Sequence, residues 1–154
     1  MMRSLTTLVL AACVSAGPLE LVTDLAEVQG RWDIASFDGY VPRLINENGY
    51  RHAYFDIDGD VANFTIECNG TGMYAVLGAD GRLRSRPPSE GEPDFIHTLR
   101  SCGDRGNARE DAYFAFLVKG GPTVALAPNG ILVLRNAEHE LRLRRVGSGL
   151  ENDG

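Results

Sequence analysis

The chain has 154 residues, 44% of them hydrophobic and 23% charged, with a formal charge of −6. That is the balance of one soluble globular domain with a core of its own. The acidic excess, with no basic stripe interleaved with aromatics, excludes nucleic acid as a partner class. Eighteen glycines and seven prolines, many in Asp-Gly, Asn-Gly or Gly-Pro pairs, predict frequent tight turns and short strands.

The first residues, MMRSLTTLVLAACVSAG, place one arginine before the apolar run Leu5 to Ala12 and small residues after it. That order is a secretory signal, and the run is too short to span a bilayer. Its end, Leu10-Ala11-Ala12-Cys13, resembles a bacterial lipobox, in which cleavage removes residues 1–12 and the thiol of Cys13 then carries a diacylglycerol. The resemblance also implies acylation of the new amino group. Several acyl chains, at about 0.8 kcal/mol per buried methylene, hold a protein on a membrane durably, where one chain holds it only marginally. Val14 rather than an aspartate follows the cysteine, which in the enterobacterial pattern implies sorting to the outer membrane. The expected address is therefore the periplasmic face of a bacterial envelope, with residues 13–22 as lipidated cysteine and tether. The competing reading is an ordinary signal peptide with a chance cysteine.

In the mature chain, LELVTDLAEVQ at 19–29 predicts a short helix with Leu21, Leu25 and Val28 on one side, ended by Gly30. GRWDIASFDG alternates as a half-buried strand from Gly30 through Trp32 and Ile34 to the turn at Asp38-Gly39. Residues 40–52 lack a period and read as a loop. AYFDIDGDVANFTIEC and MYAVLGADGRLRSR predict two hairpins, turning at Asp58-Gly59 and Asp80-Gly81. PPSEGEP is a rigid polar excursion, and FIHTLRSC returns to strand-like residues. Asn107, with Glu110 three places on, predicts a capping box opening a helix that Gly120-Gly121 ends, with Tyr113, Phe114, Leu117 and Val118 as its apolar stripe. A meander follows, PTVALAPNGILVLRNAEHELRLRRV, with its first turn at Asn129-Gly130. The expected fold is mainly β over residues 23–146: a curved antiparallel sheet or partly open barrel of about eight strands with one packed helix, and a disordered tail at 147–154.

Cys68 and Cys102 would meet an oxidising compartment behind a signal peptide, and a disulfide between them is expected. Closing a loop of about 35 residues would stabilise the fold by roughly 3 to 4 kcal/mol. Two free buried thiols are the alternative; a zinc site would need further ligands, and His52, His97 and His139 form no ligand motif. Asp56, Asp58, Asp60 and Glu67 occupy positions one, three, five and twelve of a would-be calcium loop, but Gly59 falls at position four, and the strand-like flanks favour a hairpin turn. Asn63 and Asn69 match glycosylation acceptors that a bacterial protein would not use. Arg82, Arg84 and Arg86 share one face of a strand, a solvated face or a contact for anionic head groups. No cofactor, metal or catalytic constellation is indicated: no nucleophile elbow, metalloprotease helix, phosphate loop or dinucleotide fingerprint occurs.

Three landmarks stand in order: GRWDIASFDG, then ECNGTGMY before a hairpin, then HTLRSC before a helix and a meander. Together they resemble the META domain of HslJ-like envelope proteins, over about residues 28–146. Gly30 and Trp32 match its Gly-x-Trp strand, Cys68-Asn69 its Cys-Asn turn, Thr98 and Cys102 its Thr-x-x-Cys segment with one extra residue, and Tyr113 to Leu117 its helix. Glu67 stands where the family has Gly, and Gly70-Thr71-Gly72 replaces its Arg-Phe-Ser-Gly. The resemblance implies a curved sheet with one helix, no catalytic residues, and a part in tolerance of heat shock and antibiotics. The functional expectation is a non-enzymatic envelope lipoprotein making protein contacts or supporting stress tolerance. The alternatives are a lipocalin-like carrier of a small apolar ligand, suggested by Gly-x-Trp and the β pattern, and a periplasmic protease inhibitor.

Overall fold

The structure, a computed structural model, describes residues 17–50 and 52–147. The expected signal segment 1–12, Cys13 and residues 148–154 of the expected tail lie outside the described residues.

Alternation of apolar and polar residues generates strands β1 (Glu20–Leu21), β2 (Gly30–Phe37), β3 (Tyr54–Asp58), β4 (Val61–Thr65), β5 (Gly70–Leu77), β6 (Leu83–Arg86), β7 (Thr123–Leu126), β8 (Ile131–Arg135) and β9 (Glu140–Arg145). Between β6 and β7 lies the helix α1 (Gly103–Val118). The strands form one antiparallel sheet in the order β1-β7-β8-β9-β2-β3-β4-β5-β6, curled into a half-barrel. Its far strands meet where Arg82 bridges Thr123, the Leu83 amide donates to Pro122 and the Val124 amide donates to Gly81.

Because a strand turns alternate side chains to one face, Trp32, Ile34, Phe55, Phe64, Leu132, Leu134, Leu141 and Leu143 all point into the concavity and are buried. Helix α1 fills what remains. Tyr113 packs edge-on against Phe37 at 5.3 Å and Phe64 at 6.0 Å between ring centroids, and Phe116 lies 5.8 Å from Phe37. Trp32, 1% exposed, closes the opposite end of this core, with its indole N–H donating to the Val28 carbonyl and the Arg145 guanidinium 4.3 Å above its ring.

Four expectations need correction. Leu19–Gln29 is no helix: Glu20–Leu21 pairs with β7, and a single 3-10 turn at Leu25–Val28 follows, opened by Asp24 accepting from the Ala26 amide. Residues 20–22 are therefore not tether; Val22 is buried and its amide donates to Val124. FIHTLRSC is not a strand, because its ladder groups have almost no partner: only Thr98 joins β5, its amide donating to the Gly70 carbonyl and its hydroxyl accepting from the Gly70 amide. Finally, α1 starts at Gly103 rather than at Asn107. Gly103, at φ +72°, turns the chain into the helix four residues early, a conformation that a side chain would strain.

Candidate functional site

Residues 87–102 form a strap outside the sheet, crossing β5 between β6 and α1. Gly72 gives it room. A Cβ on Gly72 would lie 2.5 Å from the Phe95 ring, which instead packs 4.8 Å from Tyr74. Where the strap ends, the Cys-Asn turn, α1 and the loop at 40–52 converge, and several residues singled out in the sequence gather there.

Asn69 is the hub, 3% exposed. Its amide donates to Glu110 Oε2 at 2.9 Å, and Nδ2 donates to Glu110 Oε1 at 2.6 Å and to the Arg100 carbonyl at 2.8 Å. Oδ1 accepts from the Arg100 amide at 2.7 Å, and its carbonyl accepts from the Thr65 hydroxyl at 2.7 Å. Glu110 is 4% exposed, so both its oxygens are committed to one asparagine in a region from which water is largely excluded, where leaving any of these groups unpaired is costly. This carboxylate is not half of a capping box. Asn107 accepts from the Cys102 amide at 2.9 Å, outside the helix, and caps nothing inside it.

Cys68 and Cys102 sit at disulfide distance beside this hub, their Cα atoms 5.9 Å apart. With Glu110 they bring three metal-donor atoms within 4.8 Å of one another. Sulfurs bonded to each other offer no thiolate, and the carboxylate already accepts from Asn69, so the arrangement works as a covalent and hydrogen-bonded clasp. Around it, Arg109 ion-pairs with Glu67 and stacks 3.4 Å over the Tyr40 ring. Burial, and then Glu67, push the Tyr40 hydroxyl above its ordinary ionisation range. His52 Nδ1 meets the Glu67 carbonyl at 2.8 Å, while its buried Nε2 has no partner among the described residues. A shallow cleft of 400 Å³, lined by Arg43, Asn46, Glu47, His52, Glu67 and Arg100, opens outside this rim.

The remaining candidates are dispersed. Three acids of the would-be calcium loop each take an arginine: Asp56 pairs with Arg31, Asp60 with Arg86 and Glu67 with Arg109. Asn63 stands on the convex face of the sheet and Asn69 is buried. His97 meets Phe114 edge-on, with ring centroids 5.0 Å apart, and His139 meets Asp38 at 2.7 Å. Of the three arginines on the β6 face, Arg84 is held by Asp80 and Arg86 by Glu92 and Asp60, while Arg82 donates to the Gly121 carbonyl. Gly30, at φ +94°, opens β2 and gives Trp32 its place in the core. Glu110 is the residue that sequence reasoning misassigned; its one visible signal was an acid on the buried stripe of a helix, three residues before Tyr113.

No protein-family model matches the chain, and no curated protein matches it. Among solved structures it is similar to one described as the NMR structure of the protein from Burkholderia xenovorans, at 14% identity and a TM-score of 0.55, over 95% of this chain and 99% of that one. At that identity the likeness concerns the fold: both chains follow the curved sheet along nearly their whole length.

Proposed function

We propose that the chain is a non-enzymatic lipoprotein of the bacterial envelope, anchored through Cys13 on the periplasmic side, with a META/HslJ-like domain that acts through its surface in protein contacts or stress tolerance. The observation that carries this reading is the filled concavity. A carrier needs a lined interior of several hundred cubic ångströms, and here Trp32, Phe55, Phe64, Tyr113 and Phe116 occupy that space at under 2% exposure. The polar hub supports the same reading, since Asn69 and Glu110 spend their hydrogen-bonding capacity on each other and on the strap. Support for the anchor comes from Leu10-Ala11-Ala12-Cys13 behind an apolar run.

Metabolic labelling with radioactive palmitate tests the anchor: the wild-type chain is expected to take the label and a Cys13→Ser variant to lose it, and a variant that keeps the label ends this reading. Mass spectrometry of the protein purified from native membranes tests the interior. A stoichiometric apolar ligand would move the assignment to a carrier.

A further inference from the structure

On the convex face three arginines are neutralised in place: Arg31 by Asp56, Arg84 by Asp80, Arg86 by Asp60 and Glu92. Strands β8 and β9 differ. Arg135, Arg142 and Arg144 all project outward, since their neighbours Leu134, Leu141 and Leu143 face the core. Arg135 and Arg144 form no ion pair among the described residues, and Arg142 has only the half-exposed Glu140 at 3.3 Å, a carboxylate that also stands opposite Arg135 in the register. The other acids at this face are Glu138, on its rim, and Asp33, buried beside Arg144 in the register of β2 and β9. Between the arginines Ala125 and Val133 are buried, and Leu21, opposite Ala125 in the register, is the exposed apolar side chain of this face at 49%. Arg82 and Arg135 flank Thr123 and line a cleft of 580 Å³.

The start of the described chain says what this face meets. Gly17 lies against Pro128, in the turn between β7 and β8. Three residues lie between it and Cys13, and the four Cα steps reach at most about 14 Å. A lipid on Cys13 would hold the bilayer within that distance of the turn from which β8 carries its arginine outward. We propose that the convex face of β7, β8 and β9 lies on an anionic phospholipid surface, with Arg135, Arg142 and Arg144 on headgroup phosphates and Leu21 beside them at the interface. Guanidinium groups bind phosphate through paired N–H donors, and their stems lie along apolar surface while the heads stay at the polar boundary. The proposal rests on the anchored reading for its geometry, and it gives the anchored domain a fixed orientation.

The test uses the mature chain, residues 13–154 with Cys13→Ser, which keeps every core residue and carries no lipid. It is floated with vesicles of phosphatidylcholine alone or mixed with phosphatidylglycerol. Binding is expected only with phosphatidylglycerol, and it should weaken as salt rises. Each arginine near such a surface contributes roughly fivefold, so Arg135→Gln, Arg142→Gln and Arg144→Gln together should weaken binding by about a hundredfold. Arg84→Gln, on the neutralised β6 face, should bind like the parent, and circular dichroism verifies that both variants fold. No binding, equal binding to both vesicles, or an unchanged triple variant would overturn the proposal; so would displacement by inorganic phosphate at constant ionic strength, which would assign the arginines to a small anion. A chain that takes palmitate but ignores phosphatidylglycerol keeps the lipoprotein reading and loses this one.

Discussion

The strap at 87–102 is fastened at both ends by polar side chains, and the two fastenings are built on opposite physical terms. At its start, Arg86 reaches from β6 to Glu92 and Asp60 and lies 4.4 Å over the Tyr74 ring, while the Ser89 amide donates to Glu92. These groups face water, so their attraction is screened and their side chains lose entropy in pairing. At its end, Asn69 and Glu110 are buried, hydrogen-bonded on every side and joined by Cys68 and Cys102. There the loss of one partner strands the other in a medium that cannot solvate it. The same segment is thus held by a reversible electrostatic clip and by a clasp that opens only with the core.

Removing the clasp should have the largest effect. Glu110→Ala leaves two buried donors of Asn69 without acceptors and is expected to cost about 4 kcal/mol, read as a shift in the denaturant midpoint; a shift no larger than that of a surface alanine would break the comparison. Next comes the covalent part. Cys68→Ser with Cys102→Ser should cost roughly 3 kcal/mol, and reduction of the wild-type chain should lower its melting temperature similarly, while leaving that of the double variant unchanged. A smaller effect is expected midway along the strap, where Gly72→Ala drives a methyl group into Phe95. Overpacking of that kind costs about 1 to 2 kcal/mol, and the altered Tyr74 ring environment should be visible by NMR.

The clip should give the smallest effect, and that effect follows acid. Its hydrogen bond from Arg86 holds the Glu92 carboxyl at about 2, below its ordinary 4.5. A carboxyl depressed in the folded state contributes stability above its unfolded value and loses it as pH falls through the folded one. The start of the strap should therefore stay ordered above pH 4.5 and loosen toward pH 2, measured by relaxation of the Ser89 amide, and Glu92→Gln should abolish that transition.

Much of the fold was legible because it is written in local alternation. Phe55, Ile57, Ala62 and Phe64 announce their hairpin, as Leu141 and Leu143 announce the last strand, since burial on one face needs no distant information. The cysteine pair was legible for a different reason: two cysteines behind a segment that reads as a signal peptide have few other expected fates. What escaped the sequence depends on contacts far along the chain. Asn107 and Glu110 have the spacing of a capping box, but Glu110 answers to Asn69, 41 residues away, and Asn107 to the residue before the helix. FIHTLRSC has the composition of a strand, but the place beside β5 where it would pair is only grazed by Thr98. The apolar stripe of α1 was visible, whereas its fit into the concavity of the sheet, which leaves the carrier reading so little room, was not.

The pairing of β1 with β7 has a consequence for how copies of this protein behave toward one another. One margin of β7 is shared, with Thr123 bridged to Arg82 and Ala125 and Leu126 covered by Leu21 and Glu20. Stripped of that two-residue cover, the margin would offer free N–H and C=O groups to any passing strand, the usual beginning of edge-to-edge aggregation. The short strand at the start of the domain is thus also a guard on solubility, and a truncation beginning after Val22 would lose that guard together with the first segment of the fold.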